Sequence, residues 1–211
     1  MEHFVDIHTH NPLGLNLGVR NYRLGIDATP PAEPFSAGIH PWDVDDLPDR
    51  EGLLADLESI NCLAIGEIGL DKACASNFAT QQELFERQLE IAARRRLPVV
   101  VHCVKSSAEV VTTLTHYPLR TVVFHGFIGS SEQAEQIWKA GCYTSFGFGA
   151  LRSPKTLHTI EACPIDKLFL ETDDSKTSIT TLYEEVAHLR NVSTECLKKD
   201  IYNNYKRIFN R

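Results

Sequence analysis

The chain has 211 residues, a formal net charge of −7, and 43% apolar and 23% charged residues, enough for a substantial core in one large domain or two small ones. That charge argues against nucleic-acid binding through a broad basic surface, although metal ions in a site of carboxylates and histidines would make a nuclease centre locally positive. No apolar run approaches the ~18 residues of a membrane span, and an N-terminus carrying Glu2 and Asp6 without a basic or apolar leader does not read as a signal peptide.

In chain order, the first strand is expected over residues 4–7, FVDI, and it runs straight into His8 and His10. Strand side chains alternate between faces, so these two histidines point the same way, roughly 6–7 Å apart, with Asp6 on their side. Taken alone, the pair fits a solvated strand end as well as two imidazoles on one metal ion. A weaker strand is expected at 21–26, then others at 35–39, 62–66, 98–101, 121–124, 142–146 and 168–171. Helical periodicity falls between them, near 47–60, 80–96, 106–116, 131–140, 153–162 and 180–191, and a last helix spans 193–209. Thr80-x-x-Glu83 reads as a capping box and Ser153-Pro154 as an N-cap before proline. Arg94, Arg95 and Arg96 suit a helix C-terminus better than a nucleic-acid patch. In Phe146-Gly147-Phe148-Gly149 a tight strand-to-helix turn is the simpler reading, against a close backbone approach to a ligand.

Strand–helix alternation implies parallel strands joined by right-handed crossovers, which fits a TIM-type (β/α) barrel or an open doubly wound sheet. No linker divides the chain, so residues 1–211 read as a single domain. Its six cysteines are dispersed and form no C-x-x-C pair. Reduced core thiols and a cytoplasmic location are expected.

The residues at the end of each apolar run decide between the readings of His8 and His10. FVDI leads to both of them, FSAGI to His40, CLAIG to Glu67, PVVV to His102, TVVF to His125, and LFLET to Asp173. In a barrel those tips gather at the C-terminal face, where active sites of this fold lie. So many tips of metal-ligand type point to His8 and His10 as ligands. Even without His40, four histidines, a glutamate and an aspartate exceed what one tetrahedral ion needs. With Glu67 as a bridging carboxylate, two metals ~3.5–4 Å apart are expected, with a bridging hydroxide as nucleophile. Imidazole-rich shells favour Zn, Mn, Fe or Ni over Mg. Asp6 is a candidate to orient an imidazole from behind.

The stretches VDIHTH, GIHPW, AIGEIGLD, LPVVVHC, FHGFIGS and LETD, from Val5 to Asp173, together resemble the TatD-type metal-dependent hydrolases of the amidohydrolase superfamily. The resemblance implies a barrel with a binuclear metal centre, ligated by His8, His10, Glu67, His102, His125 and Asp173. It implies that His40 faces the substrate and that Asp71 supports the site. Family activity is metal-dependent phosphodiester cleavage of DNA, and some relatives are linked to deacylation of D-aminoacyl-tRNA. The segment from His10 to Gly38 is shorter than is usual in the family, so a shortened or irregular barrel start is expected, with seven or eight strands. Cys103-Val104 stands where Cys-Arg is common, with Lys105 a replacement cation. Lys72-Ala73-Cys74 replaces aromatic residues, and Asp174-Ser175 replaces Ala-Pro.

The expected activity is therefore DNA hydrolysis with two divalent ions (Zn, Mn or Mg). His40 and Lys105 would hold the phosphate, and Glu67 and Asp173 would act in catalysis, Asp173 as proton acceptor. A hydrolase of a small phosphoester or amide and a non-catalytic metal-binding scaffold are the rival readings. No membrane and no obligate protein partner are expected.

Overall fold

The computed structural model describes residues 3–209. Eight strands are ordered by hydrogen bonding as they are in sequence: β1 (Val5–Thr9), β2 (Leu17–Arg23), β3 (Phe35–Gly38), β4 (Ala64–Asp71), β5 (Val99–Val104), β6 (Val122–Phe124), β7 (Tyr143–Phe146) and β8 (Leu168–Leu170). The pairings β1–β2, β3–β4, β4–β5 and β7–β8 are parallel. The helices are α1 (Arg50–Ser59), α2 (Phe78–Arg95), α3 (Ser107–Leu114), α4 (Ser131–Lys139), the short α5 (Phe148–Leu151), α6 (Pro154–Ala162), α7 (Ile179–Leu189) and α8 (Thr194–Phe209). Among the described residues no helix separates β1 from β2 or β2 from β3. This is the irregular start that the short segment after His10 predicts. No described helix is long and apolar enough to cross a membrane.

Two compact units make up the chain, Asn21–Val123 and Met1–Arg20 with Phe124–Arg211. In the first, α2 lays Leu84, Phe85, Leu89 and Ala92 into the core, each buried to within 2%. Full burial of such a side chain stabilises by about 1.5–3 kcal/mol. The same helix face carries two buried glutamines seven residues apart, Gln81 and Gln88. Arg94 pairs with Glu58, and Arg95 donates to the carbonyls of Leu57 and Ile60 at the end of α1. The arginine cluster thus joins two helix ends. In the second unit α8 packs on β1 and β8 through Leu197, Ile201 and Ile208. Buried Tyr183 of α7 donates its hydroxyl to Val5 O (3.0 Å) and accepts from Val5 N–H (3.2 Å).

Two starts differ from expectation. The weak strand expected at 21–26 lies earlier, at Leu17–Arg23, because Gly25 (φ 83°) turns the chain after Leu24 donates to Gly38 O. Helix α2 starts at Phe78, capped by Asn77, whose Oδ1 accepts from Thr80 N–H (3.1 Å). Thr80 is therefore the capped residue, not the cap. Ser153 and Pro154 do open α6 as expected, and Phe146-Gly147-Phe148-Gly149 is a turn from β7 into α5.

Candidate metal centre

In the unit that holds both chain termini, β1, β6 and the residues after β8 place four of the expected residues together. Asp173 adopts left-handed backbone (φ 52°), a conformation that aspartate tolerates better than most residues. It is pinned on both sides: its N–H donates to His8 O and its carbonyl accepts from His10 N–H, each at 3.1 Å. Its Oδ1 consequently lies 3.6 Å from His8 Nε2 and 3.5 Å from His10 Nε2. The His8 and His125 rings are 4.2 Å apart, and His8, His125 and Asp173 offer donor atoms all within 4.8 Å of one another. Such spacing suits a shared cation.

Behind His125 sits a carboxylate that the sequence did not single out. Glu171 is fully buried, and its Oε1 accepts from Gly126 N–H (2.7 Å) and meets His125 Nδ1 at 3.2 Å. A carboxylate there fixes the tautomer with hydrogen on Nδ1 and leaves the lone pair on Nε2, as required of a metal ligand. Glu171 Oε2 is buried without a hydrogen-bond partner among the described residues, a costly arrangement that a nearby cation relieves. Losing such a partner weakens metal binding by about 10–100-fold. Glu171→Gln should therefore weaken metal retention by that factor with the fold intact, read by competition with a chelator. Undiminished affinity would show that His125 needs no carboxylate behind it.

Asp6 does not orient an imidazole as expected. Its carboxylate accepts from Thr172 N–H (2.9 Å) and from the Thr172 hydroxyl (2.6 Å), so it secures the residue before Asp173. Burial pushes the Asp6 pKa up to about 7 against the lowering effect of those two hydrogen bonds.

In the unit Asn21–Val123, Glu67 of β4 is the hub. Its Oε1 lies 3.0 Å from His40 Nε2 and 2.7 Å from His102 Nδ1, and its Oε2 accepts from Asn21 Nδ2 at 3.2 Å. Asn21 also takes Glu67 N–H on its Oδ1 (3.0 Å), so one buried amide sets both backbone and side chain. His40 Nδ1 accepts from Trp42 N–H, so the ring proton sits on Nε2 and points at Glu67. Burial lowers the His40 pKa, with Glu67 pulling the other way. Asp71 Oδ2 takes both Trp42 Nε1 (2.7 Å) and His102 Nε2 (3.0 Å), while Oδ1 caps the turn at Ala73 and Cys74. Burial works to raise the Asp71 pKa, but the bonds from Trp42, His102 and Ala73 outweigh it and hold the group below its ordinary value.

A neutral His102 ring can donate to only one of its two carboxylates, Glu67 Oε1 at Nδ1 or Asp71 Oδ2 at Nε2 (3.0 Å), so the other contact sets lone pair against lone pair. An approach of that kind calls for a positive charge, a proton or a metal ion. His40, Glu67 and His102 form a second three-donor group within 4.8 Å, so this donor set also fits a divalent cation. Trp42, half exposed, stands edge-on to His40 (4.8 Å between centroids). Lys105 is exposed one residue past β5, and among the described residues its amine makes no hydrogen bond or ion pair with this group.

The buried glutamines of α2 complete the arrangement, and the sequence reading passed over them. Gln88 clamps Ile39, accepting its N–H (2.7 Å) and donating to its carbonyl (3.2 Å). Gln81 clamps Asp71 in the same way, at 2.8 and 3.0 Å. Two polar residues on an otherwise apolar helix face are the signal that could have found them.

Comparison with known proteins bears on the fold and the family. Residues 32–210 match the family of TatD related DNases. An uncharacterized metal-dependent hydrolase of Haemophilus influenzae is 30% identical over 201 residues, covering 83% of this chain and 76% of the relative. The protein named 3′-5′ ssDNA/RNA exonuclease TatD of Dickeya dadantii is 32% identical over 203 residues, covering 82% and 75%. Among solved structures, YJJV, the TatD homologue of Escherichia coli K12, has a TM-score of 0.85 at 24% identity, covering 99% of this chain and 98% of that one. A TatD family hydrolase of Entamoeba histolytica has a TM-score of 0.82 at 18% identity, with the same coverage. The fold is thus the TIM-type (β/α) barrel of those structures, and with residues 32–210 matched the chain belongs to the TatD related DNase family of metal-dependent hydrolases.

Proposed function

We propose that the chain hydrolyses phosphodiester bonds of DNA with two divalent ions, one at each histidine–carboxylate group, Zn or Mn being favoured by the imidazoles. The observation that carries this reading is the pair of histidine–carboxylate groups on or just past the strands, each with donors within 4.8 Å. His8, His10, His125 and Asp173 would hold one ion, Glu67 and His102 the other. Bound ions of this kind polarise phosphoryl oxygens and lower the pKa of water towards neutrality. The protein's own part is positional. Glu171 and Asp71 fix the His125 and His102 rings, Asn21 and His40 fix Glu67, and the left-handed backbone at Asp173 aims its carboxylate. As the water oxygen bonds to phosphorus and the ester oxygen leaves, Asp173 takes a water proton on its carboxylate. Lys105 is the nearest cation in sequence to His102 for the phosphate. Relatives named as nucleases support the DNA assignment, and six cysteines without a disulfide fit a cytoplasmic setting.

The test is metal content and cleavage on one sample. The protein, purified without chelator, should carry about two metals per chain by elemental analysis and degrade end-labelled single-stranded DNA. Chelation should stop cleavage and Zn or Mn should restore it. Cleavage of a chromogenic phosphodiester but not of DNA would move the substrate to small phosphoesters. Absence of metal after reconstitution would overturn the reading altogether.

A further inference from the structure

Beside Asp173, in the unit formed by Met1–Arg20 and Phe124–Arg211, lies a cleft of about 410 Å³, within the ~300–1,000 Å³ typical of small-molecule sites. Its walls differ in kind. One is apolar, made by Ile128, 57% exposed, and by the half-buried Phe148. Gly149 keeps that wall open, since a Cβ there would lie 3.3 Å from Ile128 Cδ1. A second wall carries the carboxylates of Glu171, Asp173 and Asp174. The third holds Arg152, the one cationic side chain lining the cleft among the described residues. Arg152 is exposed, and among those residues its guanidinium has no hydrogen-bond or ion-pair partner, although three carboxylates line the same cleft.

An exposed isoleucine alone is ordinary surface, and an arginine alone is ordinary solvation. Together, at a cleft that opens on a candidate catalytic carboxylate, they match the two halves of a nucleotide. A guanidinium takes a phosphate bidentately, and an apolar and aromatic face covers a base without regard to its sequence. The carboxylates would repel a substrate anion, so the one cation lining the cleft sets where the phosphate can sit. We propose that this cleft seats the nucleotide adjoining the scissile phosphate, with Arg152 on the flanking phosphate and Ile128 and Phe148 against the base. The assignment rests on the phosphodiesterase reading above and specifies its substrate as a chain at least two nucleotides long.

Arg152→Ala, compared with Arg152→Lys and wild type, tests it by both binding and turnover. Binding of a phosphorothioate-linked single-stranded pentanucleotide should weaken about tenfold in Arg152→Ala, and the salt slope of log K should fall by about 0.7. Lysine should restore the salt slope but only part of the affinity, because it lacks the bidentate fork. Turnover of a small chromogenic diester, which offers no flanking phosphate, should fall less than turnover of the DNA. Unaltered pentanucleotide binding, or equal losses on DNA and the small diester, would overturn the subsite. Wild-type binding that depends on Arg152 without any cleavage would keep the subsite and overturn the hydrolysis reading. Neither binding nor cleavage by wild type would overturn both.

Discussion

Asp173→Asn should lower phosphodiester turnover at least ~10³-fold while leaving the melting temperature near that of wild type. Charge stabilisation by a bound metal is worth several kcal/mol, and each 1.36 kcal/mol is a factor of ten in rate. Asparagine removes the charge that holds the cation, yet it tolerates the left-handed backbone at φ 52° and keeps the main-chain bonds to His8 and His10. Alanine would confound loss of the carboxylate with backbone strain. Glu67→Gln is its counterpart in the other unit, since the amide oxygen can still accept from Asn21 while the negative charge beside His40 and His102 is gone. Turnover number and metal content should fall together in both variants. Wild-type turnover in either would remove that group from the reaction.

Gly69→Ala should destabilise the protein by about 3 kcal/mol or more, a fall in Tm of roughly 6–12 °C for a chain of this size. A Cβ at Gly69 would stand 1.9 Å from His102 O and 2.8 Å from its carbonyl carbon, and the backbone there has φ 151°. Gly69 pairs with His102 across β4 and β5, so separating the strands also displaces His102 from Glu67. Gly141→Ala is the control: its φ is 83° but a Cβ would meet nothing within 4 Å. Only the ~1–2 kcal/mol of left-handed strain applies there. Calorimetry on the two variants separates collision from strain, and equal small losses would show that the strands can part without cost.

Much of the candidate site was legible because strand periodicity and residue chemistry coincide at the tips. His8 and His10 were placed on one face by alternation alone, and both stand beside Asp173. What escaped were residues whose role is to hold main chain. Asn21 sits in a strand whose buried positions do not alternate, because Gly18 and Val19 are buried in succession. Local patterning therefore put that strand four residues late. Asp6 was read from its face alone, but its partner, Thr172, is 166 positions away. Glu171 was hidden beside Asp173 in the same short motif. Gln81 and Gln88 fell within a helix read for its apolar stripe, where the exception to the stripe was the informative part.

The two glutamine clamps of α2 have a consequence for how this protein can change. Each amide reads the N–H and C=O of its partner, at Ile39 and at Asp71, groups that every residue except proline presents alike. At Ile39 and Asp71 the clamps are therefore indifferent to side-chain identity, although Gln81 also donates to the side chains of Ser76 and Cys74. Residues next to them, such as Lys72 and Ala73, can be exchanged without moving the chain that carries His40 and Asp71. A lineage could alter the rim of such a site in single steps, and so its preference among substrates, while the donor set stayed in place.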